Sequence, residues 1–432
     1  MKVVVAERAS VGLTTRGARP AAAARGGRAR VRAWDDGRAS KAEVERRTFG
    51  EGVQQVLKKA QIVALSCACL LGPPLDPPAL AILKGNPNAK IPRSPEAALR
   101  RSTPVINAEM ADIQNKLEDV AFLLRIPQRK QWDKMEQKVT ECRDKAKSEG
   151  EIRGILKDVP EAARSEATEY IESMDVALGQ ALRGIAYRDA AYTTKYLNAA
   201  LANVNSIELA QAVGLPFSVP QSLQSKFPYL AGRATLKFTI KKRPGVGKLY
   251  VLDAETRQDA VGTFVVDLDG YSAPVTAGQL LKNVSAGMYD GQAIAQDLNA
   301  TALLVGPPTE AAPLAPPLPL EIFQTGEFEP SYNTQLDVLN MEYPILPMSI
   351  FGAVVMSHDA GDALRSSTDR FFIYKFEESM GGLAGLSFDE GQFSVVGYVT
   401  QGSDLITQVE GGDIIEKVEI VSGGDRLREP QV

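Results

Sequence analysis

The apolar residues of this chain change period once, and that change limits the fold more than any single motif does. Between residues 107 and 207 they recur at helical spacing. Met110, Ile113, Leu117, Val120 and Leu124 fall three and four residues apart, which puts them on one face of a helix. Asn107 ahead of them predicts an N-cap, and Pro127 behind them a stop. Met135, Val139, Cys142 and Ala146 predict a second helix. Met174, Leu178, Leu182 and Ile185 predict a third, and Tyr192, Tyr196, Ala200, Val204 and Ile207 a fourth. Short polar or proline-containing breaks between them predict an up-down helical bundle over residues 82–225. From "GRATLKFTI" (232–240) the period is two, and strands are also predicted at 248–253, 261–268, 350–357, 370–376, 393–399 and 414–421. "VTAGQLLKNVSAG" (275–287) predicts one helix among them. Many strands with few helices predict a closed antiparallel β-barrel over residues 226–432, reached through the linker-like "LPFSVPQSLQSKFP". The fold class is therefore α+β and multidomain.

Charge narrows the partners. The formal net charge of −4 averages two unlike parts. Residues 1–81 hold 14 basic and 7 acidic side chains, whereas 82–432 hold 35 basic and 46 acidic, a net of −11. An acidic body excludes nucleic acid as the expected partner, since phosphate binding needs a basic surface. It also speaks against a general attraction to anionic membranes. "RIPQRK" (125–130) is a local exception, read as a solvated helix end rather than a contact patch.

The chain has three cysteines, Cys67, Cys69 and Cys142, and one histidine, His358. No disulfide framework, zinc site or Ser-His-Asp apparatus is expected from so few groups. Cys142 belongs to an apolar stripe and reads as core. His358 follows an apolar strand and reads as structural or solvent-facing. "GVGK" (245–248) lacks the spacing of a phosphate loop, and "DLDG" (267–270) lacks the glutamate a calcium loop needs. "PPTEAAPLAPPLPLE" (307–321) reads as a loop insertion. No metal and no cofactor are expected.

The first 81 residues read as an address. Residues 1–50 carry ten arginines against five acids. Lys58 and Lys59 then precede the apolar run Ile62–Leu71, too short to span a bilayer, which needs about 20 residues. "ALA" at 79–81 predicts cleavage between Ala81 and Ile82. The arrangement resembles the bipartite transit peptides of thylakoid-lumen proteins. It implies a chloroplast thylakoid-lumen protein with no transmembrane segment in the mature chain. Arg46-Arg47 faintly resembles a twin-arginine signal, so the import route is open.

Three segments of the second half resemble the cyclophilins: "DGYSAPVTAGQLLKNVSAGMYDG" (269–291), "FGAVVMSH" with "DRFFIYK", and "LSFDEGQFSVVGYVTQGSDLITQVEGGDII". With "EDVAFLLRIPQRKQW" ahead of them, the chain from residue 82 resembles the multidomain cyclophilins of the thylakoid lumen. The resemblance implies an eight-stranded barrel with capping helices and a groove for prolyl peptides. Cyclophilins use an arginine that donates to the prolyl nitrogen, an apolar pocket for the proline ring, and a glutamine on the neighbouring carbonyl. Counted from "YDG", the arginine position is Gln296, a pocket phenylalanine position is Thr301, and the glutamine position is Leu304. No catalytic residue is therefore expected. Met356, Arg370, Phe372, Phe388 and Phe393 match the rim of the peptide groove.

Three functions fit. The first is a lumenal chaperone or assembly factor with a degenerate site, whose clients the resemblance puts among the photosynthetic complexes of the thylakoid membrane. The second is a true but slow prolyl isomerase acting on lumenal proteins. The third is a scaffold that binds through its helical bundle.

Overall fold

The computed structural model describes residues 91–126, 130–245, 247–252, 257–298, 301–307, 316–359, 362–375, 386 and 389–430. The leader, the Ala81–Ile82 cleavage site, Pro127 and Phe388 lie outside them. Contacts group Ile82–Val432 as one compact unit.

Six helices come first: α1 (Pro95–Ser102), α2 (Ala108–Arg125), α3 (Trp132–Lys147), α4 (Glu149–Leu156), α5 (Arg164–Ala186) and α6 (Ala190–Gln211). Asn107 caps α2 as expected, its side-chain oxygen accepting from the N–H groups of Glu109 and Met110 at 3.0 and 3.2 Å. The first two stripes are buried residue for residue, and Leu182 is the partly exposed member of the third. The fourth stripe corrects the sequence reading. Its inner face is Thr193, Leu197, Ala200, Leu201, Val204 and Ile207, with Tyr196 partly buried against it and Tyr192 exposed. A helix repeats every 3.6 residues, so a stripe drawn across 16 positions drifts off the inner face.

The alternating half folds into one large antiparallel sheet. Its main strands are β1 (Arg233–Lys241), β2 (Val261–Asp269), β3 (Gln296–Leu298), β4 (Ala302–Val305), β5 (Ala353–Asp359), β6 (Asp362–Tyr374), β7 (Val395–Gln401) and β8 (Ile414–Ser422). Their spatial order is β8-β1-β2-β7-β5-β6-β4-β3. The helix expected at 275–287 is α7 (Pro274–Ser285). Inward residues of alternate positions enclose the main core, where Phe238 stacks on Phe264 at 4.9 Å and Phe371 meets Tyr289 edge-on at 5.3 Å.

The expected closed barrel is a curled half-barrel. The end strands β8 and β3 share no ladder; a single bridge joins Ala293 to Ile414 just ahead of β3. Four backbone hydrogen bonds support it, from Gly291, Ile294, Gly412 and Ile415. Among the described residues β3 spans only Gln296–Leu298, and the bridge at Ala293 lies ahead of it.

The helical and sheet cores meet through α1, a helix the period argument did not anticipate. Ala98 and Leu99 pack on the outer face of the sheet with Val355 and Tyr398. Arg233 of β1 donates to the Leu99 carbonyl at 2.6 Å and to the hydroxyls of Ser102 and Thr103, while pairing with Asp269 at 3.0 Å. A guanidinium at the C-terminal end of α1 satisfies its open carbonyls and opposes the helix dipole.

Candidate functional site

Residues directly opposite each other on neighbouring strands point to the same face of a sheet. Gln296 is registered opposite Leu304, Leu304 opposite Phe372, and Phe372 opposite Val355. One row of side chains thus crosses β4, β6 and β5, and the backbone of Gln296 is registered beside it on β3. Leu303, Val305, Phe371 and Ile373 point the other way, into the main core. Leu304 and Phe372 are half-buried, and Val355 is fully buried beneath them.

Aromatic rings extend the row. Phe372 meets Phe393 edge-on at 5.5 Å and Tyr374 at 6.3 Å. Phe393 in turn contacts the His358 ring at 4.2 Å. Both imidazole nitrogens face backbone carbonyls, Nδ1 that of Arg365 at 3.1 Å and Nε2 that of Gln392 at 2.7 Å. His358 therefore ties the β5–β6 hairpin to the segment bearing Phe393, the structural one of the two roles expected of it.

The floor is rigid. Leu346, Met348 and Ile350 pack against Val355 and Phe372. The Glu390 carboxylate accepts from the N–H groups of Met348 and Ser349 at 2.8 and 2.9 Å, and the Tyr398 hydroxyl donates to the Pro347 carbonyl at 2.8 Å. Burial pushes the Glu390 carboxyl above its ordinary value, while these donors pull it back. Burial also pushes the Tyr398 phenol well up. Sequence reasoning missed Glu390, Tyr398 and Val355. Alternation along β5 and β7 could have found Val355; the two polar anchors depend on a loop no local pattern specifies.

Two expected residues stand elsewhere. Met356 is fully buried in the main core, on the opposite face from Phe372. Successive strand residues alternate, so Val355 and not Met356 belongs to the row. Thr301 lies in the exposed turn before β4, where its carbonyl accepts from Lys375 at 2.6 Å. Arg370 shares the outer face with Phe372, two residues on, and its Nε stands 3.3 Å from Asp369 Oδ1. The Arg370 carbonyl accepts from Ser357 Oγ at 2.9 Å. "DLDG" is spent internally: Asp267 accepts from Thr235 Oγ1, and Asp269 pairs with Arg233. Among the described residues no three carboxylate, histidine or cysteine side chains gather as a metal site.

A separate cleft of about 890 Å³ lies between α1, α6 and the outer faces of β1, β2 and β7. Arg100, Asn205, Arg233, Asp267 and Thr400 are among its lining residues, and none of the row residues reaches it.

Residues 251–424 match the family model of cyclophilin-type peptidyl-prolyl cis-trans isomerases, and residues 94–211 match that of the PsbQ-like domain of CYP38-like peptidyl-prolyl isomerases. The chain is 39% identical over 356 residues to the chloroplastic peptidyl-prolyl cis-trans isomerase CYP37 of Arabidopsis thaliana, covering 82% of this chain and 74% of that one. It belongs to the cyclophilin family. Two further relatives align over most of the chain. The chloroplastic CYP38 of Arabidopsis thaliana is 28% identical, with 83% of this chain and 79% of that one aligned. A putative thylakoid-lumen isomerase of Synechocystis is 27% identical, with 82% and 88% aligned. These relatives agree with the leader in placing this cyclophilin in the chloroplast thylakoid lumen. No helix among the described residues is long and apolar enough to cross a membrane.

Proposed function

We propose that this cyclophilin serves as a chaperone or assembly factor that holds proline-containing segments on the Leu304–Phe372–Phe393 face, with isomerase activity weak or absent. Prolyl isomerisation must overcome a barrier of roughly 18–20 kcal/mol set by amide resonance. A catalyst has to favour the twisted prolyl nitrogen over the planar ground state. The observation that carries the proposal is at β3: Gln296 occupies the arginine position, and residues 284–306 contain no arginine at all. A neutral amide can donate, but charge-assisted bonds are about twice as strong. Leu304 removes the amide expected on the carbonyl side and extends the apolar row instead. Such a surface favours binding a proline ring over turning it. By family resemblance the clients are photosynthetic complexes of the thylakoid membrane.

Capture of a proline-rich peptide, followed by fluorescence, tests the binding half. Phe372→Ala should weaken it markedly. Unchanged capture would move the binding surface to the helical bundle, which is the scaffold reading.

Arg370 favours a second reading, a slow isomerase. Its charged group shares a face with Phe372 and could donate to a prolyl nitrogen bound there. On that reading Arg370→Ala abolishes a measurable wild-type rate, whereas on the first there is little rate to lose.

A further inference from the structure

The α5–α6 hairpin ends in a turn whose backbone fits glycine but holds arginine. The N–H of Asp189 donates to the Gly184 carbonyl and that of Arg188 to the Ile185 carbonyl, both at 2.9 Å. Together these two bonds make a Schellman turn. Its left-handed position is Arg188, at φ 55°. Only glycine adopts that conformation without steric cost, so the arginine is held there against local preference. The turn is also tight and fixed. A Cβ on Gly184 would stand 2.5 Å from Thr193 Oγ1, and Asp189 caps α6 through the Tyr192 N–H at 2.9 Å.

Around Arg188 the surface is aromatic and cationic. Tyr187 is 85% exposed and Tyr192 37% exposed. Tyr192 packs on Tyr196 at 4.7 Å, and the Lys195 ammonium lies 5.5 Å from the Tyr196 ring centre. Residues 183–196 hold three cations, Arg183, Arg188 and Lys195, against Asp189, on a body whose net charge is −11. The Tyr271 hydroxyl of the sheet half donates to the Ala212 carbonyl at the other end of α6, away from this tip.

Amphipathic rings beside cations suit the headgroup layer of a bilayer. Tyrosine puts its ring among the acyl boundary and its hydroxyl in water, and lysine and arginine meet anionic headgroups. An acidic protein partner would meet the cations but gains less from an isolated exposed ring such as Tyr187. We propose that this hairpin tip docks the protein on an anionic lipid surface.

The chain from Ile82 can be sedimented with phosphatidylcholine vesicles and with vesicles that also contain phosphatidylglycerol. Only the second should carry it down, and molar salt should release it, because screening then acts within about 3 Å. Arg188→Gly with Lys195→Gln, and Tyr187→Ser alone, should each lower the bound fraction several-fold. Arg188→Gly by itself should raise the unfolding temperature while weakening binding, a split that a purely structural arginine would not give. Absence of sedimentation with the anionic vesicles, or sedimentation unchanged by these substitutions, overturns the proposal.

Discussion

Phe372 and Phe393 meet edge to face, 5.5 Å apart and at 88°, above a floor pinned by Glu390. Their contact joins β6 to the segment entering β7, so the proposed binding face and the stability of the sheet share these two rings. Edge-to-face pairs contribute about 0.5–1.5 kcal/mol beyond their buried area. A double-mutant cycle with Phe372→Ala and Phe393→Ala should return a coupling of that size. Each single change should cost less than the roughly 3–5 kcal/mol of a fully buried phenylalanine, because both rings are half-exposed. A coupling indistinguishable from zero would mean the rings do not support each other.

Met356 supplies the contrast. It is fully buried on the other face, so Met356→Ala should destabilise by about 2–5 kcal/mol. Peptide affinity of the folded fraction should change little. Denaturant unfolding and peptide titration of the same sample separate the two effects. A large loss of affinity with little loss of stability would put Met356 on the proposed binding face.

Cys142 of α3 is buried against α2, its thiol 3.8 Å from the Ile113 carbonyl. Burial pushes the thiol up to about 12, so the reactive thiolate is scarce at neutral pH. In the chain from Ile82, where it is the one cysteine, a thiol reagent should react only as fast as the bundle opens. Rapid labelling of the native protein would contradict this.

Glu208 gives the fold a pH dependence. Its side chain is buried on α6, and neither carboxylate oxygen has a hydrogen-bond partner. Burial raises the group from 4.5 to about 8, although Arg100 and Arg233 oppose the shift. A folded value above the unfolded one means that the folded chain holds the proton longer. This contribution is complete below pH 4.5 and is lost as pH rises to about 8, with a total on the order of a few kcal/mol. Glu208→Met should flatten the stability profile across that window and raise the unfolding temperature at its upper end. Thermal melts across the window check both.

Much of this architecture is legible in the residues, and its failures have physical causes. The stripes at Met110–Leu124 and Met135–Ala146 are core because helical period and burial coincide there. Helix α1 escaped notice, although Ser94 accepts from the Ala97 N–H and Pro95 opens the helix, both local signals. It is too short to show a period, and it buries Leu99 against the sheet rather than the bundle. The linker expected at 215–228 is anchored as well, since Val219, Leu223 and Phe227 pack with Val275 and Leu318. At the candidate site the residue types at Gln296 and Leu304 are read directly from the sequence, and the isomerase assay below tests what they imply. The side taken by Met356 was not legible, because strand register moves a residue to the opposite face with a one-residue step.

The rate of prolyl isomerisation by the chain from Ile82 tests the central claim most directly. The uncatalysed reaction takes about tens to hundreds of seconds at 25 °C, so even weak catalysis is measurable. Loss of one preorganised donor costs roughly 10²–10³ in rate. The account predicts a wild-type rate at least that far below an ordinary cyclophilin measured beside it. It also predicts recovery when Gln296→Arg is combined with Leu304→Gln. Thr301 is left unchanged because it lies in an exposed turn. A wild-type rate within about tenfold of the ordinary enzyme would contradict the account, since the missing donor alone should cost more.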